Sequence, residues 1–473
     1  MVNFNMESDR IDLKELSAFM GNPTFQPNSS LNPFEVLPAL EEQSRLSNLD
    51  ETQQETITPK YTVGDIFRLY WDDYRKENSP TNHQIKTVND IMNCRSGYFG
   101  YNINMCDTCG HTQIYANSCR NRHCPSCQGN KRQIWVDERA AELLPVPYYH
   151  NVLTLPDIMF PMCLYNQKVV YDLILYCSAE TIKQFGNDPK WLGAEVGIIS
   201  ILHTWGQMIP MHLHVHNVIP GGGYDESTAS WIWPKNKDSE FLFPIHAMAD
   251  VFRGKVVEGL KKAFNNDELS FPEHLQEMST EQGFEDWINR LVSKRWIAYV
   301  KKPFGGPEQV INYIGKYTNK TAISNSRIIS IEDGVICFMY KNYKKKHEVD
   351  NPKELWEETQ LPADEFIRRF LYHVLPPQFH RIRHYGFLSN GQKAKRQEIW
   401  EYLVFEEEAG ILEIREPYEG MPCPKCEGIL VPIVVIDENG RILRGSYEEL
   451  KEQKQIFREA EMLESEDFEW NTS

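Results

Sequence analysis

The 473-residue chain is 41% hydrophobic and 12% aromatic, and no apolar run nears the ~18 residues that cross a bilayer; a helical membrane protein and a wholly disordered chain are both excluded. Its formal charge of −17 is unevenly placed: residues 1–60 hold 10 Asp and Glu against 4 Lys and Arg, residues 401–473 hold 19 against 7, and residues 61–400 hold 38 against 39. The acidity belongs to the two ends, so the near-neutral middle keeps nucleic acid open as a partner.

The first residues, MVNFNMESDRIDLKEL, have neither a basic n-region nor an apolar h-region. Secretion is therefore not expected, and the eleven cysteines read as metal ligands or buried thiols rather than disulfides. Residues 1–60, rich in Asn, Ser, Pro, Gln and Glu, form an acidic leader expected to be disordered. From Tyr61 the texture changes. Ile66, Phe67, Tyr70 and Tyr74 recur at helical spacing and HQIKTVNDIMN predicts a second helix, so 61–93 reads as an N-terminal helical segment.

Residues 94–130 read as a zinc-binding domain. Cys106-Asp-Thr-Cys109 and Cys124-Pro-Ser-Cys127 are two C-x2-C knuckles fourteen residues apart, and their four thiolates suffice for a tetrahedral structural Zn2+. Cys94, His111, Cys119 and His123 are near enough to make a second site or to replace one thiolate, and spacing does not choose between these options. Arg120, Arg122, Lys131 and Arg132 surround the second knuckle, which suits phosphate contact.

Residues 131–330 carry the chemistry. HNVLTLP (His150–Pro156) predicts a strand, residues 164–185 a helix, and residues 192–205 a passage from helix to strand. In MHLHVHNVIPGGG, period-two alternation puts His212, His214 and His216 on one strand face and Leu213 and Val215 on the other, until Pro220 and three glycines end the run. Successive imidazoles on one face stand about 7 Å apart by the strand rise and can converge on one ion. An HxHxDH hydrolase site is excluded, because Val218 and Ile219 stand where Asp and His are needed. No long run of βα repeats follows to support a barrel hydrolase. Residues 225–300 read as a helical insertion, with helices near 248–264 and 284–295. A short helix over 307–319 places Tyr313 and Tyr317 at i and i+4 on one face, with Gly315 between them. A tyrosine hydroxyl is a competent nucleophile toward phosphorus where a metal polarises the phosphate.

In 331–400, Lys344, Lys345, Arg381 and Arg383 interleave with Tyr340, Tyr343 and Tyr385, a pattern suited to a single-stranded backbone with bases stacked on rings. The acidic tail, 401–473, holds Cys423-Pro-Lys-Cys426, a lone knuckle. It either borrows ligands from elsewhere, Cys94 being one candidate, or forms a degenerate zinc ribbon.

Several stretches occurring in order carry a family resemblance: NSCRNRHCPSCQG (Asn117–Gly129), LLPVPYYHNVLTLP (Leu143–Pro156), HTWGQ with HLHVHNVIPGGG (His203–Gly223), FLFPIHAMADVFRGK (Phe241–Lys255), YIGKYTNKTAISNSRI (Tyr313–Ile328) and FHRIRHYG (Phe379–Gly386). From about Tyr61 to Lys395 the chain resembles the HUH-type rolling-circle transposases of bacterial insertion sequences, the IS-ninety-one type, with their N-terminal transposase zinc-binding domain. The resemblance implies an α+β fold: an HUH-nuclease core, an antiparallel sheet with helices packed on it, preceded by a small zinc-binding domain and joined by helical accessory segments. It also implies metal-dependent nicking of single-stranded DNA and strand transfer through a 5′-phosphotyrosine. His214 and His216 fall on its His-hydrophobic-His motif and would hold Mg2+ or Mn2+, with His212 or Gln207 completing the shell. Tyr313 and Tyr317 fall on its tyrosine pair, and Asn102 stands where members often carry a histidine four residues before the first knuckle.

The expected partners are single-stranded DNA at transposon ends and target DNA, with no membrane, in the bacterial cytoplasm at the nucleoid. A plasmid or phage replication initiator, or a relaxase, shares this chemistry, and a non-catalytic zinc-dependent DNA-binding regulator would share only the zinc domain.

Overall fold

The structure, a computed structural model, describes residues 59–127, 143–235, 242–304, 321–349, 351–405, 421–439 and 441–446, with single positions 452 and 455. Tyr313, Tyr317, Lys131, Arg132, the 307–319 helix, nearly all of the leader and much of the acidic tail lie outside the described residues.

Helices α1 (Val63–Glu77) and α2 (Asn82–Met92) each begin with a capping box. The hydroxyl of Thr62 or Thr81 accepts the N–H three residues on, and the side chain there, Asp65 or Gln84, accepts the threonine N–H. Their inner faces bury Val63, Ile66, Phe67, Trp71, Val88 and Ile91. Trp71 takes the inward position, and Tyr70 and Tyr74 are left half-buried.

A hairpin of β1 (Tyr101–Cys106) and β2 (Thr112–Ala116) follows. Then β3 (Tyr148–Thr154) leads through α3 (Phe160–Tyr165) and α4 (Gln167–Asn187) into a second hairpin, β4 (Ile198–Trp205) and β5 (Met211–Pro220). The strand β5 is the histidine strand; it ends at Pro220, and the glycines that follow sit where a side chain would not fit, since a Cβ on Gly222 would meet the Trp231 indole at 2.4 Å. After the short hairpin β6 (Gly223–Asp225) and β7 (Ser230–Ile232) come α5 (Ile245–Asn265), α6 (Glu281–Ser293) and β8 (Ile297–Phe304). A three-stranded sheet, β9 (Ile328–Glu332), β10 (Val335–Lys341) and β11 (Trp356–Pro362), precedes α7 (Ala363–Tyr372), β12 (Ile382–Tyr385) and α8 (Lys393–Phe405). Finally β13 (Met421–Pro422), β14 (Ile429–Ile436) and β15 (Ile442–Arg444) return to β1, giving the order β13-β14-β1-β2 with β15 on β14.

The central sheet has the order β12-β4-β5-β3-β8, and every neighbouring pair is antiparallel. One face of it is covered. Leu153, Leu202, Leu213 and Val215 meet Val170, Tyr171 and Ile174 of α4, Phe252 and Val256 of α5, and Trp287 of α6, all buried. Each such side chain contributes roughly 1.5–3 kcal/mol relative to exposure. On the same face Asn217 lies fully buried, yet satisfied: its Oδ1 accepts from Ser178 of α4 (3.0 Å) and Ser200 of β4 (2.7 Å), and its Nδ2 donates to Asn151 of β3 (3.3 Å). Such a network fixes the register of three strands against the helix, because an unsatisfied buried amide costs about 1–3 kcal/mol. The chain is thus α+β with antiparallel sheets, as expected. Among the described residues no helix is long and apolar enough to cross a membrane.

Candidate metal centre and its supports

The opposite face of the central sheet carries the histidines. Period-two alternation holds along β5: Leu213 and Val215 are fully buried under the helices, while His212 is exposed, His214 half-buried and His216 buried. The third histidine of the cluster is not the expected one. Ligand atoms of His203, His214 and His216 lie within 4.8 Å of one another, and His212 stands outside this set. Only five residues connect β4 to β5, and the resulting register sets His203 directly across from His214. A directly opposed cross-strand neighbour converges on a shared point better than a further residue of the same strand, which is carried away by the rise. Gln207, the other residue considered for the shell, lies in the hairpin turn, where its Oε1 accepts the Lys341 N–H.

Hydrogen bonds orient the rings. His214 Nδ1–H donates to the His212 carbonyl (2.8 Å), and His216 Nδ1 is 2.9 Å from Nε2 of His150, a buried residue of β3 stacked on it. With Nδ1 so engaged in both rings, Nε2 is the nitrogen that would face an ion, the usual effect of an outer partner on a histidine ligand. Trp205 stacks on His203 at 4.9 Å between centroids and 18° between planes. His203 and His150 were both missed from the sequence. The signal for His203 was the β4 alternation Ile199, Ile201, His203 beside a short turn; for His150 there was none beyond its strand.

The tip of this hairpin is anchored. Ile209 adopts φ 60° and is buried among Phe370, Ile367 and Ile323. His373, at the end of α7, donates from Nε2 to the Ile209 carbonyl (3.1 Å) and accepts the Thr204 hydroxyl on Nδ1 (3.0 Å). Burial pushes this imidazole down to about 4, so it is neutral in the folded protein. A histidine with a depressed folded pKa stabilises the fold above its unfolded value near 6.5, and that stability is lost as pH falls toward 4. The stability difference between the protein and His373→Asn, measured by urea unfolding, should therefore shrink by about 2 kcal/mol between pH 7 and pH 5. An unchanged difference would show that His373 does not titrate in this window.

The cysteines also assemble differently from the expected single site on Cys106, Cys109, Cys124 and Cys127. Cys124 and Cys127 meet Cys94, at the end of α2, and Cys119; the four sulfurs lie within 4.8 Å, with Cys119 and Cys127 3.8 Å apart. Cys106 and Cys109 instead face Cys423 and Cys426, so the tail knuckle does not borrow Cys94. The reason is the β1–β2 hairpin. Its base, where Arg95 N–H bonds to the Asn117 carbonyl, holds Cys94 and Cys119, whereas its tip carries Cys106 and Cys109. Five residues of strand, about 17 Å, separate the two. His123 is buried and its Nε2 accepts the Leu375 N–H (3.3 Å), away from a ligand role. The set at the hairpin base fits zinc: tetrahedral thiolates at roughly 2.3 Å from the ion lie about 3.8 Å apart. Hydrogen bonds with Cys119 and Cys124 hold the Cys94 thiol below its ordinary value.

Of the basic residues expected at DNA, Arg120, Lys344 and Lys345 are exposed. Arg122 spans inward to the Phe379 and Pro376 carbonyls, and Arg381 is buried against the Trp205 ring, with burial lowering it to about 10. Arg122 thereby ties the zinc loop to the segment between α7 and β12. Arg383 pairs with Asp172 and Lys345 with Glu357.

Comparison with known proteins follows this geometry. A family model described as "Putative transposase" matches residues 197–396, and one described as "Transposase zinc-binding domain" matches residues 66–155. The chain is 39% identical over 389 residues to "Putative transposase y4qJ" of Sinorhizobium fredii (strain NBRC 101917 / NGR234), covering 79% of this chain and 95% of that protein. It is 25% identical over 345 residues to "Transposase for insertion sequence element IS801" of Pseudomonas savastanoi pv. phaseolicola, covering 71% and 78%. No solved structure matches it.

Proposed function

This chain belongs to the transposase family of the IS-ninety-one type, with its N-terminal zinc-binding domain, and on that footing we propose that it nicks and transfers single-stranded DNA by rolling-circle chemistry through a 5′-phosphotyrosine. The observation that carries the reading is the convergence of His203, His214 and His216 on the face of an antiparallel sheet opposite helices α4, α5 and α6. A divalent ion held there would polarise the scissile phosphate and neutralise charge developing on it. Of the two ions expected, Mn2+ takes imidazole nitrogen more readily than the oxygen-seeking Mg2+, so an all-histidine set favours manganese.

The nucleophiles in this reading are Tyr313 and Tyr317. A phenolate oxygen forms a bond to phosphorus, the bond from phosphorus to the 3′ oxygen breaks, and the proton passes to that leaving oxygen as a 3′-OH. The phosphodiester count is unchanged, so a 3′-OH of another strand can reverse the step and rejoin DNA without ATP. Two tyrosines allow two such cuts in succession. Arg120, Lys344 and Lys345 are the exposed cations proposed to meet the DNA backbone, with Arg383, Lys131 and Arg132 as further candidates.

Covalent trapping tests the proposal. Protein incubated with Mn2+ and labelled single-stranded oligonucleotides from the ends of its own element should give an SDS-stable adduct. Tyr313→Phe with Tyr317→Phe should abolish it, and the single variants should rank the two hydroxyls. Tight zinc-dependent binding with no adduct for any end sequence would favour a non-catalytic DNA-binding regulator instead.

A further inference from the structure

Cys423 and Cys426 stand outside the zinc-binding segment 66–155, and they are 314 and 320 positions from Cys109 and Cys106 respectively. In space they are neighbours. Cys106 and Cys426 sulfurs are 3.5 Å apart, Cys109 and Cys423 sulfurs 3.7 Å, and all four lie within 4.8 Å of one another without any disulfide. These separations match the edge of about 3.8 Å expected for four thiolates around zinc.

The surroundings are built for thiolates. Thr108 and Cys109 N–H groups donate to the Cys106 sulfur at 3.4 and 3.5 Å, and the second knuckle repeats the device, with Lys425 N–H on Cys423 and Gly428 N–H on Cys426. Amide donors on sulfur favour the ionised form. Asp107 ties the halves together by accepting the Ile429 N–H at 2.9 Å. Gly428 is required for closure. A Cβ there would lie 2.4 Å from Thr108 Oγ1 and 2.7 Å from the Cys106 sulfur.

The sheet these knuckles clamp has a small core. Among the described residues its five strands bury Ile103, Met105, Val434 and Ile436, with Leu430 beside the cysteines. So small a core needs a cross-link or a metal to offset the ordering entropy. We propose that Cys106, Cys109, Cys423 and Cys426 form a second structural zinc site, a clasp that makes residues 421–446 part of the N-terminal zinc module. The chain then holds two zinc ions, and its C-terminal segment is a structural member of that module rather than an appended tail. The inference is independent of the catalytic reading.

Two measurements on the full chain test it. Protein refolded in excess zinc and desalted should contain one zinc per chain more, by mass spectrometry, than the Cys423→Ser, Cys426→Ser double variant treated alike, whatever the histidine cluster takes up. In the second, a protease site is inserted between residues 412 and 413 and cut in the intact protein. The released 413–473 fragment should co-elute with the rest in zinc and separate once zinc is chelated. Equal zinc in the wild type and the double variant, or a fragment that stays bound after chelation, would each overturn the clasp. The cut wild-type chain keeps the test decisive if the serine variant does not fold.

Discussion

Replacing His203 with alanine should lower metal-dependent DNA cleavage on the order of 10³-fold, in line with the loss of one fixed group that stabilises transition-state charge. His203 is 3% exposed and contributes one of three ligand atoms from a strand other than the one that supplies His214 and His216. Without it the ion would rest on two nitrogens of a single strand, and its position over the phosphate would no longer be fixed. The fold should survive, because the central sheet is held by its helix-covered face and by the Asn217 network, neither of which His203 enters. The paired control is His212→Ala. That ring is exposed and outside the cluster, so cleavage should change by less than about threefold, as for a surface substitution. Full activity in His203→Ala together with loss in His212→Ala would restore the three histidines of β5 as the site.

The second large effect is expected from Cys124→Ser. This cysteine is fully buried, and its sulfur set sits inside the core that joins α1 and α2 to β10 and α7, where Phe67 and Phe370 pack edge-to-face at 5.3 Å. Structural zinc in small domains contributes apparent binding energies of about 10–16 kcal/mol at neutral pH, as much as the whole stability of many domains. Loss of one thiolate should therefore remove one zinc and unfold this layer. Amide hydrogen exchange should show lost protection in α1, α2 and α7, while α4 and α5, packed on the central sheet around Phe252 and Trp287, remain protected. A variant that retains its zinc and melts with the wild type would show that the core alone holds the layer. The Ile209 anchor predicts a further consequence. Unfolding of α7 frees the tip of the β4–β5 hairpin, so cleavage should fall in Cys124→Ser although no histidine ligand has changed.

The two substitutions probe different kinds of information. What the sequence by itself determined is local: the period-two run that turns His214 and His216 to one side of β5, the helical spacing that marks α1 and α2, the knuckle geometry of Cys106–Cys109 and Cys124–Cys127, and the order of family stretches that identifies a transposase. Each depends on neighbours within a few residues, where strand and helix periodicity act directly. What only the tertiary structure decided is which local pieces meet. His203 joined the cluster through the register of β4 on β5, His150 through that of β3 on β5, and Arg122 and Arg381 went inward because the carbonyls and ring they touch arrive from elsewhere in the chain. The cysteines make the point most plainly. Proximity in sequence pairs the two N-terminal knuckles, but the length of the β1–β2 hairpin, five residues of strand, holds them about 17 Å apart, and each is completed by cysteines that chain topology brings to it.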